Sequence, residues 1–311
     1  MPEPSYLQLY KEGQLVKRVK QATRLLRECR LCPRQCAVDR LNNEKGFCKT
    51  GRRARVASYH AHFGEEAPLV GKFGSGTIFF SFCNLRCSFC QNHEISHLGE
   101  GVEMEAKDLA ATMRELANRG CHNINLVTPT HAVPQILEAL LLAVENGLNI
   151  PIVYNSGGYE RVKTLELLRG IIDIYMPDFK FWDQKWADRY CQAPDYREMA
   201  ARALKEMHAQ VGDLKIDKHG IAESGLLVRH LVMPHGVSGT KEVMEFISKE
   251  ISAHTYVNVM DQYRPCGTVY QDEYIDHRIS AKEYSEALES AKDAGLTRLD
   301  QRQGFRLLFR I

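Results

Sequence analysis

The sequence predicts an α/β fold of parallel strands joined by helices, on three observations. From residue 77 onward, short apolar runs rich in β-branched and aromatic residues alternate with longer amphipathic ones. The longer runs stop at Gly120, Gly147, Gly170 and Gly212, where a left-handed helix cap costs least. The chain of 311 residues is also long enough for one large α/β domain with an appendage. Strand-helix units in series imply parallel strands with right-handed crossovers. An open, doubly wound sheet and a partial barrel both satisfy this pattern.

Taken in order, Leu15, Val19, Ala22, Leu26 and Cys29 recur at helical spacing, so residues 14–30 form a helix that stops before Cys32-Pro33. A cysteine-rich, turn-rich segment follows. Residues 52–71 predict only a short strand and a loop through Gly64-Glu65-Glu66. Strands are expected at 77–82, 123–128, 150–155, 171–176, 226–233 and 255–260, with helices near 104–119, 134–146, 159–169, 182–211 and 240–252. The Lys218-His-Gly220 turn suggests a small hairpin over 214–224, and Ser280 to Ala294 is a helix ending at Gly295. The implied division is a helix and cysteine-rich extension (1–72), a core (73–270) and a C-terminal extension packed on it (271–311).

Composition narrows the function classes. Hydrophobic content of 44% and charged content of 26% are those of an ordinary globular protein. A net charge of +2 gives no sign of a nucleic-acid partner. No apolar run approaches the ~20 residues that span a bilayer, and the opening residues lack a charged segment followed by an apolar core. A cytoplasmic protein is expected. Ten cysteines in that setting point to metal or redox roles over disulfides. Seven of them, Cys29, Cys32, Cys36, Cys48, Cys83, Cys87 and Cys90, fall between residues 29 and 90.

These seven make two groups. Cys29, Cys32, Cys36 and Cys48 are a quartet that suits either tetrahedral zinc or a complete iron-sulfur cluster, with unmetallated cysteines as the plainer alternative. Cys83, Cys87 and Cys90 read CxxxCxxC directly after the strand at 77–82, with Phe89 before the last cysteine. A [4Fe-4S] cluster normally takes four thiolates, so three would leave one iron open. The plainer reading of this trio is a zinc knuckle completed by His93. In parallel α/β folds ligands bind beyond the carboxyl ends of the strands. Those ends carry Thr128-Pro-Thr-His131, Asn155-Ser-Gly-Gly-Tyr159, Pro177-Asp-Phe-Lys180, Arg229 and Met233-Pro-His235, and the sixth offers Asn258, Gln262, Tyr263 and Arg264. His131 serves equally as a mouth residue or a helix cap. Asp178 with Lys180, and Arg229, also fit structural ion pairs. Cys121, Cys191 and Cys266 read as buried free cysteines.

The CxxxCxxC loop at the end of a first strand resembles that of the radical S-adenosylmethionine (SAM) superfamily. The chain further resembles the PflX-like relatives of pyruvate formate-lyase activating enzyme. That likeness rests on Cys32-Pro-Arg34, Gly74-Ser-Gly-Thr-Ile-Phe-Phe-Ser81, Cys90-Gln-Asn92, Thr128-Pro-Thr-His131, Tyr154-Asn-Ser-Gly-Gly-Tyr159, Met176-Pro-Asp-Phe-Lys180 and Gln262-Tyr-Arg-Pro265. The resemblance implies a partial (β/α)6 barrel with an N-terminal cysteine-rich extension. It also implies a [4Fe-4S] cluster whose open iron chelates SAM, and reductive cleavage to a 5′-deoxyadenosyl radical that abstracts hydrogen.

By the same resemblance, Asp178 and Lys180 carry the MxDxK spacing of residues that face SAM and a nearby cation, and Arg229 matches an arginine that meets SAM. Asn155 and Ser156 stand where the activating enzymes place cation ligands, and Phe89 is the aromatic of the cluster loop. The Gly-Gly-Glu motif that binds the SAM amino group is replaced by Thr128-Pro-Thr-His131. The implied partners are an electron donor such as flavodoxin or ferredoxin and a substrate, either a protein activated as a glycyl radical or a small molecule. The competing class is a non-catalytic iron-sulfur or zinc protein, such as an electron carrier.

Overall fold

The nine strands among the described residues order themselves around a parallel core. They are β1 (Ala54–His62), β2 (Ser75–Phe80), β3 (Val102–Met104), β4 (Ile124–Val127), β5 (Ile152–Ser156), β6 (Ile174–Pro177), β7 (Lys215–Ile216), β8 (Ala222–Leu231) and β9 (Tyr256–Met260). The computed structural model describes residues 3–300; the end of the expected C-terminal extension lies outside them. Parallel ladders join β2 to β4, β4 to β5, β5 to β6, β6 to β8 and β8 to β9. Among the described residues no ladder returns from β9 to β2. The six strands and their crossover helices form an open, partial barrel, and all six expected strands are present.

Three expectations need correction. The short strand expected within 52–71 is the nine-residue β1, antiparallel to β2 from Val56↔Phe80 to His62↔Ser75. It was hard to read because only its first residues are buried, and the remainder alternates exposed Ser58 and His60 with half-buried Tyr59. β3 pairs on its outer side, so the next helix begins at Ala106. The single helix expected over 182–211 is two, Gln184–Cys191 and Tyr196–Val211. Gln192 turns left-handed (φ 50°) and Pro194 follows, and a proline cannot continue a helical hydrogen-bond ladder. The hairpin at 214–224 is formed by β7 and β8, with the Asp217 carboxylate accepting the His219 and Ile221 N–H groups (2.8 and 2.9 Å).

Side chains alternate across each strand, and this decides what faces the barrel interior. Ile78, Leu126, Tyr154, Tyr175, Leu226 and Val228 are buried against the helical layer. Val153, Ile174, Met176 and Leu227 form a separate inner cluster with Leu69 and Leu214. Leu69 belongs to the helical turn Ala67–Val70, in the connection from β1 to β2. That connection crosses the end of the barrel where β2 begins, and its apolar side chains close the floor. The opposite rim stays open.

His230, on the outer face of β8, is completely buried, its Nδ1 donating to the Phe179 carbonyl (2.6 Å) and its Nε2 beside the Thr240 hydroxyl (2.9 Å). Burial lowers its pKa from 6.5 to about 4. A histidine lowered in the folded state stabilises above its unfolded pKa and loses that contribution as pH falls. Unfolding free energy should therefore drop between pH 6.5 and 4 by roughly 3 kcal/mol at most from this group. A His230→Gln variant should show a shallower slope over that window in denaturant titrations.

Candidate active site

The open rim leads into a cavity of about 850 Å³, within the roughly 300–1,000 Å³ of small-molecule sites. Cys87, Phe89 and Cys90 line it at the rim, and inner-face residues of β4, β5, β8 and β9 line its walls. The cysteine loop is folded by left-handed Phe82 (φ 66°) and Arg86 (φ 50°). It is pinned by Ser88 N–H to the Tyr190 carbonyl (2.8 Å) and Asn84 Nδ2 to the Tyr159 carbonyl (2.7 Å). Phe89 packs edge-on against Phe181 and Tyr190. Donors point at the sulfurs: Leu85 N–H at Cys83 Sγ (3.3 Å) and the Ser96 hydroxyl at Cys90 Sγ (3.2 Å).

Burial, with Cys87 beside it, pushes the Cys83 thiol up to about 12. Cys87 is raised as well, first by its contact with Cys191 and then by burial. Such thiols ionise only when a cation comes to them. Among the described residues, no three cysteine, histidine or carboxylate side chains converge on a single-ion site. The His93 that would complete a zinc knuckle has its ring stacked on His97 (4.3 Å). A cubic cluster is ligated at separate corners, so its thiolates need not share one point, and the trio with its sulfur-directed donors suits that group.

Below the thiols lies an ion network. Arg229 Nε donates to Asp178 Oδ1 (2.8 Å), Arg229 also donates to Asn155 Oδ1 (2.7 Å), and the Lys180 ammonium pairs with Asp178 Oδ2. Burial pushes the Asp178 carboxyl up, but Arg229 and Lys180 outweigh it and hold it below its ordinary value. Burial also works against the charge on Lys180, yet Asp178 and the neighbouring Cys87 keep its pKa high. Lys180 thus joins the network to the cysteine loop.

The structure thus brings Cys87, Cys90, Phe89, Asn155, Asp178, Lys180 and Arg229 to one cavity. Ser156 is turned away, accepting the Gly158 N–H (3.3 Å). His131 is neither a mouth residue nor a helix cap. It is buried, its Nε2 donates to the Ser81 carbonyl (2.8 Å), and it borders the cysteine quartet. Thr128 takes a left-handed φ of 60°, costly for a β-branched residue.

Two acids escaped the sequence reading. Glu66 sits on the floor with Oε1 accepting from Asn258 Nδ2 (2.9 Å), and Glu65 beside it contacts His62 (2.9 Å). Burial raises the Glu66 pKa; Glu65 is also pushed up by burial, but the His62 contact brings it below normal. Their signal was two adjacent acids before Pro68 in a segment with no periodicity. Glu160 is a third, pushed up to about 7 by burial between Thr130, Ser156 and Tyr154.

Residues 77–219 match the family model of the radical SAM superfamily. The chain is also 31% identical over 300 residues to an uncharacterized protein of Methanocaldococcus jannaschii, covering 93% of this chain and 82% of that one. The chain belongs to the radical SAM superfamily. Among solved structures it is similar to HydG, a maturase of the [FeFe]-hydrogenase (TM-score 0.48, 12% identity, 69% of this chain and 47% of that one). It is likewise similar to anSMEcpe with bound AdoMet (TM-score 0.46, 12% identity, 68% and 57%). Membership in this superfamily carries SAM-dependent radical chemistry and a [4Fe-4S] cluster. No described helix is long and apolar enough to cross a membrane.

In this radical SAM protein, Asp178→Asn should strand two buried cations. The expected cost is about 3–5 kcal/mol of unfolding free energy. A carboxyl held low when folded stabilises above its unfolded pKa and loses this as pH falls through the folded one. Denaturant titrations of wild type should therefore show a loss of stability on acidification below about pH 4 that the variant lacks.

Proposed function

We infer that the protein is an enzyme of the PflX-like branch, related to the glycyl-radical activating enzymes. It cleaves SAM reductively and abstracts hydrogen from a substrate held in the barrel. The observation that carries this reading is that Cys87 and Cys90 open onto a large polar cavity. An electron carrier is served by a sealed, fully ligated cluster.

Cys83, Cys87 and Cys90 would hold a site-differentiated [4Fe-4S] cluster. When bound, a cluster with SAM on its open iron supplies one-electron cleavage of the sulfonium to methionine and a 5′-deoxyadenosyl radical. Lys180 and Arg229 offer cationic donors to the SAM carboxylate, while Asp178 fixes both in place. Phe89 and its aromatic neighbours exclude water behind the loop. The reductant is a small electron-transfer protein such as flavodoxin or ferredoxin. The closed floor favours a substrate that enters by the rim.

The quartet is read as a separate metal site. Cys29, Cys32, Cys36 and Cys48 surround a cavity of about 10 Å³ together with His131, room for about one water-sized body. Each sulfur faces an N–H: Arg40 on Cys29 (3.7 Å), Phe47 on Cys36 (3.3 Å), and the Arg34 and Thr50 backbones on Cys32 and Cys48. The sulfurs stand around this space without converging. Its size supports one zinc ion over a second cluster.

Protein purified anaerobically, reconstituted with iron and sulfide, and given SAM and a strong reductant should form 5′-deoxyadenosine and methionine. A triple variant with Cys83, Cys87 and Cys90 all changed to Ala should form neither; equal product from both proteins would refute the enzyme reading. Elemental analysis of that triple variant should find about one zinc and no iron. Residual iron would instead place a cluster at the quartet.

A further inference from the structure

We propose that Glu66 anchors an ammonium-bearing substrate at the cavity floor. This rests on the reading of the protein as a radical SAM enzyme and names the chemistry its substrate must offer. Glu66 is 4% exposed and lines the cavity. Its Oε1 is held by Asn258, with an Arg229 nitrogen 3.9 Å away, beyond hydrogen-bond range. Its Oε2 is buried and has no hydrogen-bond partner. Buried polar atoms are nearly always paired, and an orphan asks for an explanation.

Among the described residues no donor reaches Oε2: Arg229 donates to Asp178 and Asn155, Lys180 pairs with Asp178, and His62 stands against Glu65. Glu66 is itself a carboxylate, so an anionic group is repelled from Oε2, and a hydroxyl brings a donor without a charge. An ammonium brings three donors and a compensating charge.

The SAM amino group is the other cation that such a carboxylate would suit. The contacts argue against it, because Cys87, Lys180, Asp178, Arg229 and Glu66 follow one another from rim to floor. SAM held at the thiols meets Lys180 and Arg229 first. Glu66 is left for the molecule beneath.

The test uses the reconstituted full chain and follows thermal unfolding and isothermal titration. Propylammonium chloride is the probe, titrated with and without saturating SAM, and sodium propionate at equal ionic strength is the anionic control. Propylammonium should raise the unfolding midpoint saturably and propionate should not. Glu66→Gln should weaken the probe at least tenfold, and Glu66→Asp, which keeps the charge, should fall between. An absent propylammonium response in wild type, or one that survives Glu66→Gln, overturns the proposal. A tenfold loss of SAM affinity in Glu66→Gln overturns it too, by placing the SAM ammonium there. Loss of SAM binding by wild type with the amine response intact strikes the enzyme reading and leaves Glu66 standing.

Discussion

Asp178 is the residue on which the interior depends. It accepts from Arg229 on one oxygen and from Lys180 on the other, and a buried carboxylate with two such partners tolerates desolvation. Without it, two cations would face one another in a buried space. Its place on the barrel is set by strand register: Asp178 pairs with Arg229 across from β6 to β8, and Arg229 pairs with Asn258 on β9. The polar ring is a product of the ladder. Side chains from three strands reach one level because parallel pairing brings their backbones there.

The two cysteine groups are mechanically joined, although they lie apart in sequence. Arg34, beside the quartet, donates to the Asn84 carbonyl inside the cluster loop (3.0 Å) and to the Cys191 carbonyl (2.7 Å), and its guanidinium lies over Phe47 (3.9 Å). Arg40 is fully buried, reaches Cys29 and donates to the His131 carbonyl (2.8 Å), while His131 donates to Ser81, two residues before Cys83. The N-terminal extension thus braces the loop that presents the thiols.

Legibility in the sequence followed burial. Strands buried on both faces are continuous apolar runs, so β2, β4, β5, β6, β8 and β9 could be read directly. β1 lies half in solvent beside an edge, and its pattern was too mixed to recognise. The cysteine trio was legible from spacing. Asp178, Lys180 and Arg229 were legible from their places on strands, since strand ends meet. Ser156 sits one position along from Asn155, so strand alternation turns it away from the cavity. Glu66 had only a weak local sign, a pair of adjacent acids before Pro68, because its position depends on a connection folding back under the barrel.

That connection has a metric consequence. Glu66 and the cysteines lie on either side of β2, a rigid strand of six residues from Ser75 to Phe80. At about 3.3 Å per residue, the strand itself spans roughly 17 Å between the connection that carries Glu66 and the cysteine loop. β2 therefore works as a ruler: whatever occupies the barrel must fit end to end within a length that the backbone sets and no side-chain rotation can extend.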